Sequence, residues 1–307
     1  MSKPTRRPAG ARRTEARAAN TLAERRLSRD ASAMPKIPLE DNFTDVLGKA
    51  QRGLKLPDRI LATRAGITTA DLAALKRGEI RESALRAVAP VLRLGSDALV
   101  SLARQEWYPE QPVFPRGFAM FNTVYEDMGV NSYLVWDTHT RLAAAFDTGA
   151  TAEPMIDTLR AEGLALRYLF LTHTHEDHIA DLPHLAEATG AEVWSSEREP
   201  SAHPGARTFK ENAHFHLGDI AIKTLLTSGH SPGQTSYYIT GLSWPLAIVG
   251  DSLFAGSMGG GLVSYEEQFR NNRQKLLRLP GDTVLACGHG PLTTLKQEKK
   301  YNPFFTR

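Results

Sequence analysis

The sequence predicts an α/β protein, a four-layer αβ/βα sandwich preceded by a small all-α domain. Three observations carry this expectation. After residue 115, short apolar runs suited to strands alternate with segments of helical period. Between residues 41 and 105 the apolar positions recur at helical spacing only. Between the two regions lies Trp107-Tyr108-Pro109-Glu110-Gln111-Pro112, whose prolines suit a linker better than a helix or a central strand.

Taken in order, residues 1–36 read as a basic, disordered arm. Ten Lys or Arg face three acids there, an excess of +7, which leaves −4 for the rest of a chain whose net charge is +3. Few large apolar residues accompany those charges, so the arm is able to touch nucleic acid or anionic lipid through charge alone; a translation start at Met34 is the plainer alternative, and the Arg-rich, acid-poor character also resembles an organelle transit peptide. Residues 41–105 form the helical unit, with apolar sets such as Leu85, Val88, Val91 and Leu92. In the second region, 131–136 and 141–146 pair across the turn Asp137-Thr138-His139-Thr140. Residues 153–162 form a helix, 167–171 a strand leading into a polar loop, 220–226, 244–249 and 283–286 further strands, and 264–277 a helix.

Chemistry concentrates at the ends of these strands. Directly after 168–171 comes Thr172-His173-Thr174-His175-Glu176-Asp177-His178, three imidazoles and two carboxylates in six positions. Buried imidazoles and carboxylates need partners, and so many in one place are hard to satisfy without a cation. His173 and His175, two apart in an extended segment, point the same way and suit one ion; Asp177 and His178, where a helix begins, suit a second. Further candidates sit at other strand tips: His230 in Thr227-Ser228-Gly229-His230-Ser231-Pro232-Gly233, Asp251 after Gly250, and His289 in Cys287-Gly288-His289-Gly290-Pro291. The other five histidines lack such a setting and read as structural. Cys287, the single cysteine, reads as buried packing and rules out an internal disulfide framework.

His173-x-His175-x-Asp177-His178 followed in order by His230, Asp251 and His289 resembles the metallo-β-lactamase superfamily, over roughly residues 115–303. The resemblance implies a dinuclear site, with His173, His175 and His230 on the first metal, Asp177, His178 and His289 on the second, and Asp251 bridging. Asp147, in Ala145-Phe146-Asp147-Thr148-Gly149, resembles the family's first motif, an acid that supports the cluster from behind; Glu176 matches no ligand position. Two divalent ions per chain are therefore expected, zinc first and iron or manganese as alternatives. They would hold a hydroxide between them as nucleophile and polarise a carbonyl, making hydrolysis the default chemistry with Asp177 and Asp147 in catalytic roles.

The segments 250–257, 288–295 and 298–304 are similar to short bacterial glyoxalase II-like hydrolases, implying a thioester of the hydroxyacylglutathione type; Asp251 departs from the pattern of class B β-lactamases. Gly259-Gly260-Gly261 stands where that family commonly offers a basic residue, and Gln234 where histidine is frequent. Tyr237, Arg270 and Arg273 are the candidates for meeting substrate. A lactonase and a mononuclear iron sulfur (persulfide) dioxygenase remain as other enzyme readings.

Residues 58–77 resemble the phage-repressor helix-turn-helix, which opens a reading as a DNA-binding regulator with a metal-sensing or ligand-sensing domain. Against it, Asp71 would repel phosphate near the base-reading end, where Arg, Gln or Asn is usual. Nucleic acid through residues 1–77 is thus not the favoured partner; a small-molecule thioester or ester is, and a helical module that packs on the hydrolase or helps it form a homodimer is the structural alternative. No run approaches the roughly 18 to 20 apolar residues of a membrane span, and the start lacks the apolar centre of a secretory signal, so the cytoplasm is the expected compartment.

Overall fold

The computed structural model describes residues 36–306, so most of the basic arm, Met34 included, lies outside the described residues. Five helices come first: α1 (Phe43–Gly53), α2 (Asp58–Ala65), α3 (Thr69–Lys76), α4 (Glu82–Val91) and α5 (Ser96–Ala103). Their ends follow local chemistry. Asn42 caps α1 and Thr68 caps α3, each in a capping box closed by an aspartate at the third helical position. Gly66, at φ 66°, closes α2 in the left-handed region where a side chain is disfavoured.

Twelve strands then build two sheets. The first contains β1 (Phe118–Tyr125), β2 (Met128–Trp136), β3 (Leu142–Phe146), β4 (Ala165–Phe170), β5 (Glu192–Ser196) and β6 (Arg207–Phe209), in that spatial order, with α6 (Glu153–Glu162), α7 (Glu176–Ile179) and α8 (Leu182–Thr189) in its connections. The second runs in reverse spatial order from β12 (Thr293–Thr294) through β11 (Val284–Cys287), β10 (Leu246–Gly250), β9 (Thr235–Thr240) and β8 (Ile220–Leu226) to β7 (His214–Leu217). Helix α9 (Tyr265–Gln274) lies between β10 and β11, and α10 (Leu295–Tyr301) follows β12. Both sheets are mixed: β3/β4 and β10/β11 are parallel, β2/β3 and β8/β9 antiparallel.

β2 and β3 pair with Trp136 opposite Ala143, as the turn at 137–140 requires. The edge strand β1 was not expected from the sequence. It pairs with β2 through the turn Glu126-Asp127, with Glu126 at φ 55°, and only its inner half is well buried.

Two cores hold the layers. One packs α6 and α8 on the outer face of the first sheet through Leu134, Ala145, Met155, Leu169 and Leu185. The other joins the five leading helices to the second sheet: Val46, Leu47, Leu85 and Leu99 share one apolar cluster with Val249, Leu253, Leu285 and Phe304. From Pro38 onward the chain forms a single unit, so residues 41–105 complete the outer helical layer of the second sheet instead of enclosing a core apart. Between the sheets, Phe146, Phe170 and Tyr237 pack with ring centroids 5.1 to 5.5 Å apart, a spacing at which aromatic pairs attract beyond the area they bury.

Glu298 of α10 is fully buried among donors: Gly256 N (3.0 Å), Thr293 Oγ1 (2.7 Å) and Asn302 Nδ2 (2.7 Å). Burial outweighs these donors and pushes its carboxyl from 4.5 up to about 7. Because the folded value lies above the unfolded one, the associated stability is fully present below the ordinary carboxyl range and is lost as pH rises through about 7. Glu298→Gln keeps the neutral shape, since the Thr293 hydroxyl can rotate to accept from the new amide. Urea unfolding between about pH 5 and 8 should then lose a slope of at most about 1.4 kcal/mol per pH unit. An unchanged slope in the variant would assign the dependence elsewhere.

Candidate metal centre

Five strand ends converge at one edge of the sandwich. β3 delivers Asp147, β4 the segment 172–178, β8 the loop 227–233, β10 Asp251 and β11 His289. Parallel neighbours such as β3/β4 and β10/β11 end on the same side, which gathers side chains far apart in sequence.

His173, His175 and His230 each bring a ring nitrogen to within 4.8 Å of the others; so do the ligand atoms of Asp177, His178 and His289, and those of His173, His178 and Asp251. Asp251 spans the cluster: Oδ1 lies 3.3 Å from His178 Nε2, and Oδ2 lies 3.4 Å from His230 Nε2 and 3.6 Å from His289 Nε2. Asp177 Oδ2 is 3.2 Å from His289 Nε2 and 3.4 Å from His178 Nε2. All are buried except His175 and Asp177, which are half-buried.

The atoms behind the cluster decide which nitrogens face inward. His178 Nδ1 meets Asp147 Oδ2 at 2.8 Å, His230 Nδ1 meets the Gly260 carbonyl at 2.8 Å, and His289 Nδ1 meets the Gly129 carbonyl at 2.8 Å. Each partner only accepts, so each Nδ1 carries hydrogen and each Nε2 is left for a proton or a cation. His173 follows by one more step. Thr172 Oγ1 donates to Asp147 Oδ2 (2.7 Å), so its oxygen accepts from His173 Nδ1 (3.0 Å) and turns Nε2 inward. His175 presents Nδ1 instead, 3.0 Å from both His173 Nε2 and His230 Nε2.

Electrostatics agree with a cation site. Burial and neighbouring imidazoles hold His173 well below the usual imidazole range, and burial lowers His230. His173 Nε2 and His230 Nε2 both face His175 Nδ1 at 3.0 Å, and one ring nitrogen can donate only a single hydrogen between them. On the other side, burial opposes protonation of His178 and His289, but the carboxylates win: Asp147 and Asp251 raise His178 well above its ordinary value, and Asp251 and Asp177 push His289 up to about 9. Burial would raise Asp251, yet His289 and His178 hold it well below the carboxylate range. His178 Nε2 and Asp251 Oδ1 are within ion-pair reach, but neither makes a hydrogen bond although both are buried. Orphaned inward atoms beside lone pairs fixed from behind are what bound divalent cations would satisfy, with protons released in exchange.

Backbone conformation serves the same end. Asp147 sits at φ 57°, in the left-handed region that aspartate tolerates better than most side chains. From there its carboxylate accepts Thr172 N (2.7 Å), Thr172 Oγ1 and His178 Nδ1 together. Gly288 must lack a side chain, since a methyl there would lie 2.1 Å from Asp251 Oδ1.

Other expected site residues lie elsewhere. Tyr237 is fully buried between the sheets and donates to the Leu171 carbonyl (2.5 Å), so it offers nothing to a substrate. Arg270 and Arg273 project to solvent from the outer face of α9, whose inner face carries Gln268, Asn271 and Asn272 to the carbonyls of Asp251, Ser228 and Ser252. Gln234 is buried and donates to the Val249 carbonyl, a frame contact. Burial pushes the Cys287 thiol well above its usual range, which leaves it unreactive.

Two supporting residues escaped the sequence. Glu199 accepts from Thr174 N, Thr174 Oγ1, Ser231 Oγ and Gly233 N, tying the 172–178 loop to the loop of His230. Asn131 donates to the carbonyls of Cys287 and Gly290 and so grips the His289 turn from both sides. Neither lies near a candidate ligand in sequence, and no local motif marks either one. A further group, Asp137, His139 and Asp219, has metal-like spacing, but Asp137 already accepts from Thr140 N, His139 N and Asp219 N, which makes it a turn staple.

Fold and site together define a protein whose sandwich edge is shaped to hold divalent cations. Residues 125–289 match the family model described as the Metallo-beta-lactamase superfamily, and the chain belongs to that family. It is 31% identical over 183 residues to "Probable metallo-hydrolase YqgX" of Bacillus subtilis, covering 52% of this chain and 85% of that protein. It is 30% identical over 197 residues to "Hydroxyacylglutathione hydrolase GloC" of Haemophilus influenzae, covering 57% of this chain and 92% of that one. Among solved structures, BLEG-1 B3 metallo-beta-lactamase aligns with a TM-score of 0.53 and 27% identity over 62% of this chain and all of that one. The family match starts at residue 125, so α1 to α5 lie outside it.

Proposed function

We propose that the chain is a metal-dependent hydrolase acting on thioesters, with hydroxyacylglutathione as the reference substrate. The observation that carries this reading is the pair of ligand triples joined through Asp251. His173, His175 and His230 would hold one cation, Asp177, His178 and His289 a second, and Asp251 reaches both groups. Divalent ions held there would supply a water ionised near neutral pH and polarisation of an acyl carbonyl.

The chain's own residues supply the geometry. Asp147, Gly129 and Gly260 fix the Nδ1 hydrogens of the ligating imidazoles, so the donor atoms are set before substrate arrives. A thiolate leaves without prior protonation, so no separate acid is needed, in keeping with a site where every inward group is a ligand. Histidine with carboxylate suits zinc first and accepts iron or manganese.

Support for thioesters comes from the resemblance of 250–257 and 288–295 to glyoxalase II-like hydrolases and from the relative named a hydroxyacylglutathione hydrolase. A panel of S-lactoylglutathione, a lactone, a β-lactam and glutathione persulfide with oxygen tests the reading. Free thiol should appear from the thioester, vanish on chelation and return with zinc. One iron per chain with oxygen uptake on the persulfide would replace the hydrolase by a dioxygenase, and β-lactam turnover alone would move the chain toward the solved lactamase.

The DNA-binding reading draws less support. On α3 and the turn after it, Lys76 pairs with Asp58, Arg77 with Glu79, and Arg81 with both Asp71 and Glu79. Cations already matched by carboxylates have little left for phosphate. The helices 58–76 act in this proposal as part of the layer packed on the second sheet.

A further inference from the structure

The rims on either side of the metal centre are apolar. One is the segment that follows Gly260, the residue whose carbonyl holds His230. Leu262 and Val263 stand there 72% and 56% exposed. They are not loose: Leu262 N donates to the Gly260 carbonyl (2.9 Å), and Val263 N and Ser264 N both donate to the Gly229 carbonyl, beside His230. The other rim is the tip of the β1–β2 hairpin. Val124, 69% exposed, pairs with Gly129, whose carbonyl holds His289. Its strand face is the one from which Asn131 reaches the His289 turn. On the opposite face of the tip, Tyr125 donates to Glu176 Oε2 (3.2 Å), next to His175 and Asp177, and its partner Met128 is 42% exposed. Two fixed apolar lips thus rise from the backbone units that orient His230 and His289. Isolated exposed apolar residues need no explanation, whereas several around one buried polar site mark a ligand surface.

The charged side chains on the rim of this mouth are acidic. Glu176 lies on the 172–178 loop, Glu126 and Asp127 form the hairpin turn, and Glu40 packs against the His289 turn, where a methyl on Gly290 would meet Glu40 N at 3.1 Å. Neither 122–129 nor 259–264 contains Lys or Arg. Lys49, below the 257–258 segment, is engaged by Asp41 and the Met258 carbonyl, and Arg198 by Glu267 at 3.5 Å. A glutathione carrier brings two carboxylates, which would find acids in these rim segments and, among the described residues of 122–129 and 259–264, no cation.

Taking the hydrolase reading above as its basis, we infer that the site selects thioesters with an apolar acyl chain on an uncharged thiol, in preference to those of an anionic peptide thiol. Water adds to the acyl carbon, the carbon–sulfur bond breaks, and the products are a carboxylate, a proton and the free thiol. The apolar acyl chain lies along Leu262, Val263 and Val124 while its carbonyl is at the metal centre.

The test compares kcat/KM of the metal-loaded full chain for acetyl, butyryl and octanoyl thioesters of N-acetylcysteamine, a neutral thiol, and for S-lactoylglutathione. Burial of a methylene gives about a two- to fourfold gain when largely desolvated, so octanoyl should exceed acetyl by well over tenfold and S-lactoylglutathione should fall below butyryl. The double variant Leu262→Asn, Val263→Asn, and separately Val124→Asn, should cut the octanoyl-to-acetyl ratio at least fivefold, with circular dichroism checking the fold. A flat chain-length profile, a preference for S-lactoylglutathione, or an unchanged ratio in both variants overturns the inference while leaving the hydrolase reading intact. If no thioester is cleaved at all, it is the hydrolase reading that fails.

Discussion

Asp251→Ala is expected to abolish thioester cleavage while leaving the fold in place. Its carboxylate faces His178, His230 and His289 at 3.3 to 3.6 Å and so reaches members of both proposed ligand triples. Removal would deprive both cations of the proposed pair of a shared oxygen, so bound metal should drop from two equivalents to one or none. kcat/KM should fall by at least about a thousandfold, the order expected when a metal-generated nucleophile is lost. The framework does not depend on that carboxylate. Oδ1 makes no hydrogen bond, and α9 is anchored through the backbone carbonyl of Asp251, which accepts from Gln268 Nε2 (3.1 Å). Buried His178 and His289 lose a carboxylate partner, so urea unfolding of the metal-free variant should show a lowered midpoint with a single cooperative transition retained. Metal content and kcat/KM measured together decide the matter; two retained equivalents with full turnover would remove Asp251 from the site.

Asp147→Ala should fail in a different way, through stability as well as metal affinity. Three buried donors, Thr172 N, Thr172 Oγ1 and His178 Nδ1, lose their acceptor, and an unsatisfied buried donor costs about 1–3 kcal/mol. Alanine must also hold φ 57°, which aspartate tolerates better. A loss of at least about 3 kcal/mol in unfolding free energy is expected, and metal affinity should drop by about 10- to 100-fold because His178 and His173 are no longer oriented. Asp147→Asn separates the two effects. It keeps the backbone preference but must turn an amide N–H toward one of those donors, so metal affinity falls with a smaller change in stability. Chelator competition and urea titration read the two quantities, and an Asp147→Ala protein with parental values in both would show the buried network to be dispensable.

The convergence of these histidines and aspartates was legible because their chemistry is dense: three imidazoles and an aspartate in six residues, with His230, Asp251 and His289 each at the end of an apolar run. Strand tips carry functional side chains without breaking a sheet's apolar pattern, so pattern and motif reinforced one another. What stayed hidden depends on which face a residue occupies. Strand alternation marks Tyr237 as one of a pair with Tyr238 but does not say which of them enters the core. On α9 the usual rule inverts: Gln268, Asn271 and Asn272 face inward to meet the carbonyls of the Asp251 and His230 loops, while Arg270 and Arg273 face water. A helix packed on exposed backbone needs amides inside, and an amphipathic pattern read for apolar residues misses it. Glu199 and Asn131 were invisible for a related reason. They hold carbonyls and N–H groups 25 to 159 residues away, and such partners leave no local spacing to detect.

Counting and locating bound cations is the most direct test of the central claim that these side chains form one two-ion site. The chain would be purified, saturated with zinc, desalted and assayed for metal by elemental analysis, and anomalous scattering from its crystals would locate the ions. Two equivalents per chain are predicted, one peak among His173, His175 and His230 and the other among Asp177, His178 and His289, with Asp251 between them. Zinc bound only elsewhere on the chain, with these residues bare at saturating metal, would contradict it.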